Sequence, residues 1–204
     1  MALVPYLSES DLDEVDRPLL ASPYNLYRAL AHSPGALRHF AMFGQWVQRA
    51  SAVDPRLREL AILQVGYLTA TPYQWSHHIQ LGRAAGVSDN DIDDLIAATA
   101  GKEHGLGALD TQILRAAREI TTDARMSEET WHHLLGHLGR ARLVELTLIM
   151  CHVTAVSRIL NTLRIDVEPE YQSFLEEFPL AEPSSGKPQS DRPSPGPIRR
   201  GEPP

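Results

Sequence analysis

Apolar residues recur at helical spacing along most of the chain, and no segment shows the strict alternation that is typical of a β-strand. Asp54-Pro55 and Thr71-Pro72 each place a hydrogen-bond acceptor before a proline, a pairing that favours the first turn of a helix. Ser88 and Asp91 have the spacing of a capping box. The pattern therefore predicts an all-α fold, a bundle of about seven or eight helices.

The predicted helices cover residues 25–32, 35–49, 54–69, 72–86, a segment capped by Ser88 that carries 92–96, then 109–122, 128–138 and 141–163. The last helix is apolar around most of its circumference, which predicts a place in the core or at a subunit interface. Cys151 lies in this helix, so we expect it to be a small buried hydrophobe.

Three parts of the chain differ in composition. Residues 1–24 form an arm rich in proline and acidic residues, whose apolar side chains can lie along the helical body or along a neighbouring subunit. Residues 25–178 carry the helical pattern. Residues 179–204 are rich in Pro, Ser and Gly, a mixture that cannot bury a core, so this tail is expected to be disordered.

Composition narrows the classes of protein further. The 204 residues, 43% apolar and 22% charged, are ordinary for one soluble globular domain. The 26 acidic residues outnumber the 19 basic ones and give a net charge of −7, so nucleic-acid binding is not expected. We see no secretory signal pattern and no apolar run near the roughly 20 residues of a membrane span, so we expect a cytoplasmic protein without a membrane partner.

Candidate chemistry is concentrated in the two helices over 54–86. If they form a hairpin that turns near residues 70–71, His78 lies about one helical turn, roughly 6 Å, from the level of Glu59. The two side chains can then meet directly or through one water. Burial raises the pKa of a carboxyl group and a neighbouring imidazolium lowers it. The spacing fits a proton relay and equally fits a buried hydrogen bond that locks the hairpin.

The same region resembles a known family. The matching residues are Glu59, Ala61-Ile-Leu-Gln-Val, Leu68-Thr69, Tyr73, Trp75, His78 and Arg83-Ala-Ala-Gly86. They are similar to the carboxymuconolactone decarboxylase family, which includes the AhpD-like alkylhydroperoxidases. The resemblance covers about residues 25–165. It implies an AhpD-like helical bundle, a homo-oligomer (dimer, trimer or hexamer), and catalytic roles for Glu59 and His78.

The redox branch of that family has a Cys-x-x-Cys-x-x-x-His arrangement with a glutamate twelve residues before the first cysteine. Counting back from His78 places the two cysteines at Thr71 and Gln74 and the glutamate at Glu59. Both thiols are absent, and Cys151 is the single cysteine of the chain. A thiol peroxidase is therefore disfavoured, because its chemistry needs the pair.

Several other residues are candidates for substrate binding. His77 points about 100° away from His78 around the helix, so the two do not face one cavity equally. The Tyr73 hydroxyl can bind a substrate oxygen or be satisfied in the core. Trp75 is a candidate wall residue, with packing as its alternative role.

The long last helix adds His152 and Arg158, polar residues in an apolar setting. Arg158 can grip a substrate carboxylate through its planar guanidinium group, or pair with Glu145. His133 and His137 lie one turn apart but lack a third ligand at a suggestive spacing, so no metal site is predicted.

The resemblance and the acid–base pair together predict an enzyme that acts without a cofactor on a small organic acid, a lactone or a related metabolite. Decarboxylation, a carbon–carbon lyase reaction, is the first reaction to test. An isomerase, dehydratase or cyclase on the same scaffold stays open, as does a non-catalytic oligomeric protein that binds a ligand.

Overall fold

The computed structural model describes residues 1–180, which fold into eight α-helices and contain no β-strand. The helices are α1 (Asn25–Leu30), α2 (Pro34–Arg49), α3 (Pro55–Leu68), α4 (Pro72–Ala84), α5 (Asp89–Thr99), α6 (Ala108–Asp123), α7 (Glu128–Leu163) and α8 (Gln172–Glu177). The prediction of an all-α bundle of seven or eight helices is confirmed. Most of the predicted tail, from residue 181 onward, lies outside the described residues.

Local capping sets several helix starts where the sequence predicts them. Asp54 accepts a hydrogen bond at 3.1 Å from the backbone N–H three residues later. Ser88 and Asp91 form a reciprocal capping box, and Ser127 accepts a bond from the backbone N–H three residues later. Each bond satisfies a donor that the first helical turn leaves unpaired. Thr71 makes no such side-chain bond.

Helix α3 runs through the centre of the bundle. Every residue from Leu57 to Gly66 is buried, and α3 packs against α4, α6 and α7. A helix enclosed on all sides has no solvent face for its polar residues. Arg58, Glu59 and Gln64 are therefore buried and need partners inside the protein.

The turn between α3 and α4 is fastened to α7. Ala70 adopts the left-handed region, with φ of 44°, which lets the chain reverse within three residues. The Asn161 amide donates hydrogen bonds to the Thr69 carbonyl (3.1 Å) and the Thr71 hydroxyl (3.0 Å). The hairpin that carries Glu59 and His78 is thus held at its closed end by the last long helix.

Helix α7 is interrupted at Gly139, where φ of 74° and ψ of 164° break the helical path. The two separate helices predicted here meet at this kink. The expectation that Cys151 is buried is wrong: Cys151 is exposed. It lies on the outer face of α7 beside Val144 and Leu148, which are 44% and 48% exposed. An apolar helix gives no periodic signal for which face turns outward.

Helix α7 also bears on the expectation that no apolar run comes near the length of a membrane span. By length and composition α7 is apolar enough to cross a membrane, and it is the one such helix within residues 1–180. This is weak evidence, because the core helix of a soluble protein meets the same criterion, and 44% of its most apolar window is buried within the protein. Cytoplasmic location and the lack of a membrane partner stay predictions.

The N-terminal arm lies along the helical body, the first of the two predicted alternatives. The Leu3 N–H donates to the Leu163 carbonyl (2.9 Å), and the Leu7 N–H donates to the Arg28 carbonyl (3.2 Å). At the other end, Leu180 packs against the core. The last helix ends at Glu177, and two residues beyond the predicted boundary at 178 still follow the helical body.

Candidate active site

Glu59 and His78 meet directly inside the α3–α4 hairpin. The His78 Nδ1 atom lies 2.7 Å from the Glu59 Oε2 atom, so no water is needed to connect them. Glu59 is fully buried. Because a carboxylate only accepts, Nδ1 carries the proton in this bond, and Nε2 is the ring nitrogen left free for other partners.

An arginine and an amide hold the other oxygen of Glu59. The Arg58 Nε atom donates to Oε1 at 3.2 Å, and the Gln48 amide donates to the same oxygen at 3.4 Å. Burial by itself would raise the pKa of Glu59, but His78 and then Arg58 outweigh it and lower that pKa below its ordinary value. Glu59 is therefore a carboxylate at neutral pH and orients the His78 ring.

A cavity of about 170 Å³ lies beside His78. A cavity of roughly 150 Å³ is known to admit benzene, so this space suits a molecule built on one five- or six-membered ring. Its apolar wall comes from α1, α2, α3 and α7 and includes Leu26, Val47, Ile62, Val153, Val156 and Leu160. His78 lines the cavity whereas Glu59 lies behind it. The geometry thus makes His78 the group that can touch a bound molecule and Glu59 its support.

His77 and Tyr73 border the cavity, but their polar atoms are engaged within the protein. The His77 Nδ1 atom donates to the Tyr73 carbonyl at 2.8 Å. The His77 Nε2 atom lies 3.1 Å from the Glu168 carboxylate, an ion-pair distance without hydrogen-bond geometry. The ring is stacked between Tyr73 and Tyr171, with centroids 4.1 and 3.7 Å away. His77 therefore supports the wall.

The Tyr73 hydroxyl donates to Glu168 at 2.9 Å. Burial and then the charge of Glu168 raise the pKa of Tyr73, so the hydroxyl keeps its proton. Burial alone would raise the pKa of Glu168, but His77 and the Asn25 N–H outweigh it and lower that pKa. The hydroxyl predicted to bind substrate is thus engaged by a buried carboxylate.

Two predicted substrate-binding residues lie elsewhere. Trp75 is fully buried in the main core, where its indole N–H donates to the Phe178 carbonyl at 2.8 Å. It packs and does not line the cavity. Arg158 is exposed on α7, also outside the cavity wall. Glu145 does not pair with it, since that carboxylate accepts from Ser51 Oγ (2.9 Å) and the Ala52 N–H (2.7 Å).

His152 lines the cavity, as its candidate role requires. Its ring packs against Phe43 and Phe40, with centroids 4.5 and 5.5 Å away. Burial lowers the pKa of His152, so the imidazole is neutral at physiological pH.

The positions of the two missing cysteines are occupied by side chains with fixed partners. Thr71 is fully buried and bonded to Asn161 and to Thr69. Gln74 lines the cavity, and its amide oxygen accepts from the Ser157 hydroxyl at 2.9 Å. Neither side chain can exchange electrons with a peroxide, so these positions offer hydrogen bonding in place of redox chemistry.

The histidines of the kinked region stay apart from this site. His133 and His137 are exposed, with ring centroids 5.0 Å apart. Within residues 1–180, no group of three or more His, Cys, Asp or Glu side chains is placed to hold a metal ion.

Arg58, Gln48 and Glu168 were not among the residues selected from the sequence. Arg58 could have been selected from the sequence, because it is a cation beside Glu59, which directly precedes the apolar run 60–63. Gln48 and Glu168 could not have been selected, since each reaches the site from another element, Gln48 from α2 and Glu168 from the segment between α7 and α8.

Comparisons with known proteins agree with this picture. Residues 34–123 match the model of the carboxymuconolactone decarboxylase family, a span that holds α2 to α6 and therefore Glu59 and His78. No curated protein matches the sequence.

Two solved structures share the fold. The first is the alkylhydroperoxidase AhpD core of an uncharacterised peroxidase-related protein from Ralstonia eutropha JMP134, with a TM-score of 0.72 and 15% identity over 85% of this chain and 95% of that one. The second is a protein of unknown function from Agrobacterium tumefaciens, proposed to be an AhpD antioxidant defence protein. It has a TM-score of 0.61 and 16% identity over 68% of this chain and 94% of that one. Identities this low show the fold alone.

The family match covers the two helices that position the acid and the imidazole. The fold is AhpD-like, and the cysteine positions of the redox branch hold Thr71 and Gln74. The segment that holds α2 to α6 is thus similar to the carboxymuconolactone decarboxylase family, and the chain lacks the cysteine pair of its redox branch.

Proposed function

We propose that this protein is an acid–base enzyme that moves a proton on a small, ring-sized carbonyl compound such as a lactone or a cyclic keto acid. One observation carries the proposal: His78 bonds to the buried Glu59 through Nδ1 at 2.7 Å and borders the cavity with the rest of its ring. A positioned imidazole with one free nitrogen is the commonest general acid–base group in enzymes.

The first reaction to test is decarboxylation. The bond between the substrate carbon and its carboxylate breaks, its electron pair is delocalised into the neighbouring carbonyl as an enolate, and CO2 leaves. Protonated His78 then delivers its Nε2 proton to that carbon. Glu59 stays ionised throughout and stabilises the protonated imidazole, because the bond Nδ1–H···Oε2 strengthens when the ring is charged.

The same groups support isomerisation. Neutral His78 takes a proton from the carbon beside the carbonyl and returns it to a different carbon of the enolate. No atom is lost, and the imidazole ends in its starting state. The geometry at His78 serves both reactions.

The experiment follows hydrogen–deuterium exchange by NMR in D2O, with cyclopentanone, γ-butyrolactone and 2-oxocyclopentanecarboxylate as probes, and CO2 release from the last. His78→Asn should lower exchange or CO2 release at least about 100-fold, because the titrating group is gone. His137→Asn, an exposed histidine on α7, is the matched control and should behave like the wild type.

Glu59 is a positioning residue, so its test needs a separate readout. Glu59→Gln should lower turnover at least about 100-fold and move the limb of the pH–rate profile that His78 sets, the basic limb in decarboxylation and the acid limb in isomerisation, to lower pH, because the protonated imidazole loses its negative neighbour. The double variant with His78→Asn should be little worse than either single variant.

The alternative function is that of a non-catalytic protein that binds a ring-sized ligand in the same cavity. It predicts that the probes bind without exchange or CO2 release above the rate without protein, and that His78→Asn changes nothing except affinity. That outcome would replace the enzyme with the binding protein.

A further inference from the structure

Two hydrogen-bond donors of the cavity wall have no partner within the protein. Tyr27, on α1, and His152, on α7, both line the cavity. Neither side chain makes a hydrogen bond to another residue of the described chain. Both rings pack against Phe40, with centroid distances of 6.3 Å for Tyr27 and 5.5 Å for His152. They therefore belong to one wall, built by α1, α2 and α7.

His78 borders the cavity from α4. The register of α4 against α7 follows from two contacts, Asn161 to Thr71 and Ser157 to Gln74, which lie about one helical turn apart. One further turn along both helices brings His152 close to the level of His78. The cavity thus has a proton carrier on one side and, on the wall that packs against Phe40, two donors without a partner in the described chain, of which His152 lies near the level of His78.

We infer that Tyr27 and His152 form a binding site for the carbonyl oxygen of the substrate, and that they stabilise the oxygen when it becomes negatively charged. This inference rests on the proton transfer proposed at His78. When His78 takes a proton from the neighbouring carbon, the C–H electron pair forms a carbon–carbon double bond and the carbonyl π pair moves to oxygen. The Tyr27 O–H and the His152 N–H then donate to that oxygen.

The electrostatics of the wall fit donors that keep their protons. Burial raises the pKa of Tyr27 and lowers the pKa of His152. Both are consequently neutral at physiological pH, the tyrosine as a phenol and the histidine as an imidazole with one N–H. Neutral donors held by packed rings stabilise a developing oxyanion, because they need little reorganisation when the charge forms.

The inference also names the kind of molecule that the site selects. An apolar wall with two donors that both lie beside Phe40 suits a carbonyl or enolate oxygen on a compact ring. The ligand class is therefore cyclic ketones, lactones and their enols.

Binding of two fluorinated probes tests the site without requiring turnover. 4-Fluorophenol carries one oxygen on a six-membered ring and resembles an enol, while fluorobenzene has the same ring without the oxygen. Both are titrated by 19F NMR. Tyr27→Phe removes one hydroxyl and His152→Phe removes the imidazole donor. Each change should weaken 4-fluorophenol binding about five- to tenfold, the effect of one hydrogen bond, and should leave fluorobenzene affinity within about twofold.

His137→Phe, on the exposed part of α7, is the control and should change neither affinity. Unchanged 4-fluorophenol affinity in both Tyr27→Phe and His152→Phe would overturn the inference, as would an equal loss for both probes, which would indicate a change of shape. Failure of either probe to bind the wild type would overturn the ring-sized ligand class.

Failure of this inference and failure of the proposed function can be told apart, because binding of the two probes does not require turnover. Selective loss of 4-fluorophenol without any proton exchange would support the oxygen site and remove the enzyme. Proton exchange that depends on His78, with unchanged 4-fluorophenol affinity in both variants, would support the enzyme and reject the oxygen site.

Discussion

Replacing Glu59 with glutamine should destabilise the protein whether or not Glu59 acts in catalysis. The substitution keeps the shape and leaves an amide that can still accept one hydrogen bond. It removes the charge that faces Arg58, and Arg58 is only 6% exposed, so the guanidinium cannot turn to water. Its remaining partner is the Gln48 amide oxygen, 3.5 Å away.

The size of the effect follows from the burial of the pair. Two unit charges about 4 Å apart attract by about 4 kcal/mol at an effective dielectric constant near 20. Removing one partner of a buried pair costs about 3–5 kcal/mol, because the other charge is left uncompensated. The glutamine retains part of the hydrogen bonding, so we expect Glu59→Gln to lower the free energy of unfolding by about 2–4 kcal/mol, or the Tm by about 5–15 °C.

The assay is urea denaturation of four proteins: wild type, Glu59→Gln, Arg58→Met, and the double variant. Removing both charges together should bring the free energy of unfolding back to within about 1 kcal/mol of wild type. Glu129→Gln is the matched control. This substitution breaks the ion pair between Glu129 and Arg115, whose side chains are 77% and 40% exposed, respectively. Because the pair is exposed, the free energy of unfolding should not change measurably.

A Glu59→Gln variant as stable as wild type would refute this reasoning, and so would a double variant no more stable than Glu59→Gln. The first result would mean that Arg58 reaches water in solution. The second would mean that the loss comes from the His78 bond.

The same carboxylate predicts a pH dependence of stability. The folded pKa of Glu59 is lowered below the ordinary value of 4.5 by His78 and Arg58, against the opposing effect of burial. Its contribution is therefore fully present above about pH 4.5 and is lost as the pH falls through the folded value. The stability difference between wild type and Glu59→Gln should shrink in that acidic range.

Three further predictions follow from other parts of the molecule. Asn161→Ala removes both hydrogen bonds that hold the α3–α4 turn. It should lower the free energy of unfolding, measured by urea denaturation, by about 1–2 kcal/mol; an unchanged value would show that these bonds do not stabilise the turn. Cys151→Ser should leave turnover intact and the wild type should not reduce peroxide, because Cys151 lies outside the cavity wall; thiol-dependent peroxide reduction that disappears in this variant would contradict it. We expect light scattering to report a dimer or larger, and Leu148→Arg to shift it toward smaller species, because the outer face of α7 exposes Val144 and Leu148; a monomeric wild type at micromolar concentration would count against it.

The sequence by itself determined the features that depend on neighbours along the chain. The starts of α3, α5 and α7 follow from Asp54, Ser88 and Ser127, since a cap bonds to a backbone group within three residues. The break at Gly139 is likewise local. The closeness of Glu59 and His78 was predictable because they lie on consecutive helices joined by a turn of three residues, which leaves little choice of geometry.

Only the tertiary structure decided which side of each apolar helix faces which neighbour. Helical periodicity fixes the angles between residues of one helix and leaves its rotation about the axis open when the whole circumference is apolar. That rotation places His152 in the cavity wall and Cys151, the adjacent residue, on the outer surface. It also directs Arg158 away from the site predicted for it.

Long-range polar contacts were equally beyond local patterns. Gln48 reaches Glu59 from α2, and Glu168 reaches Tyr73 across more than ninety residues of sequence. Such partners are selected by the free-energy cost of leaving a buried polar group unpaired, and that cost arises only once the chain is packed. For this reason the sequence identified the acid and the imidazole, whereas the fold alone determined the partners that hold them and the cavity they serve.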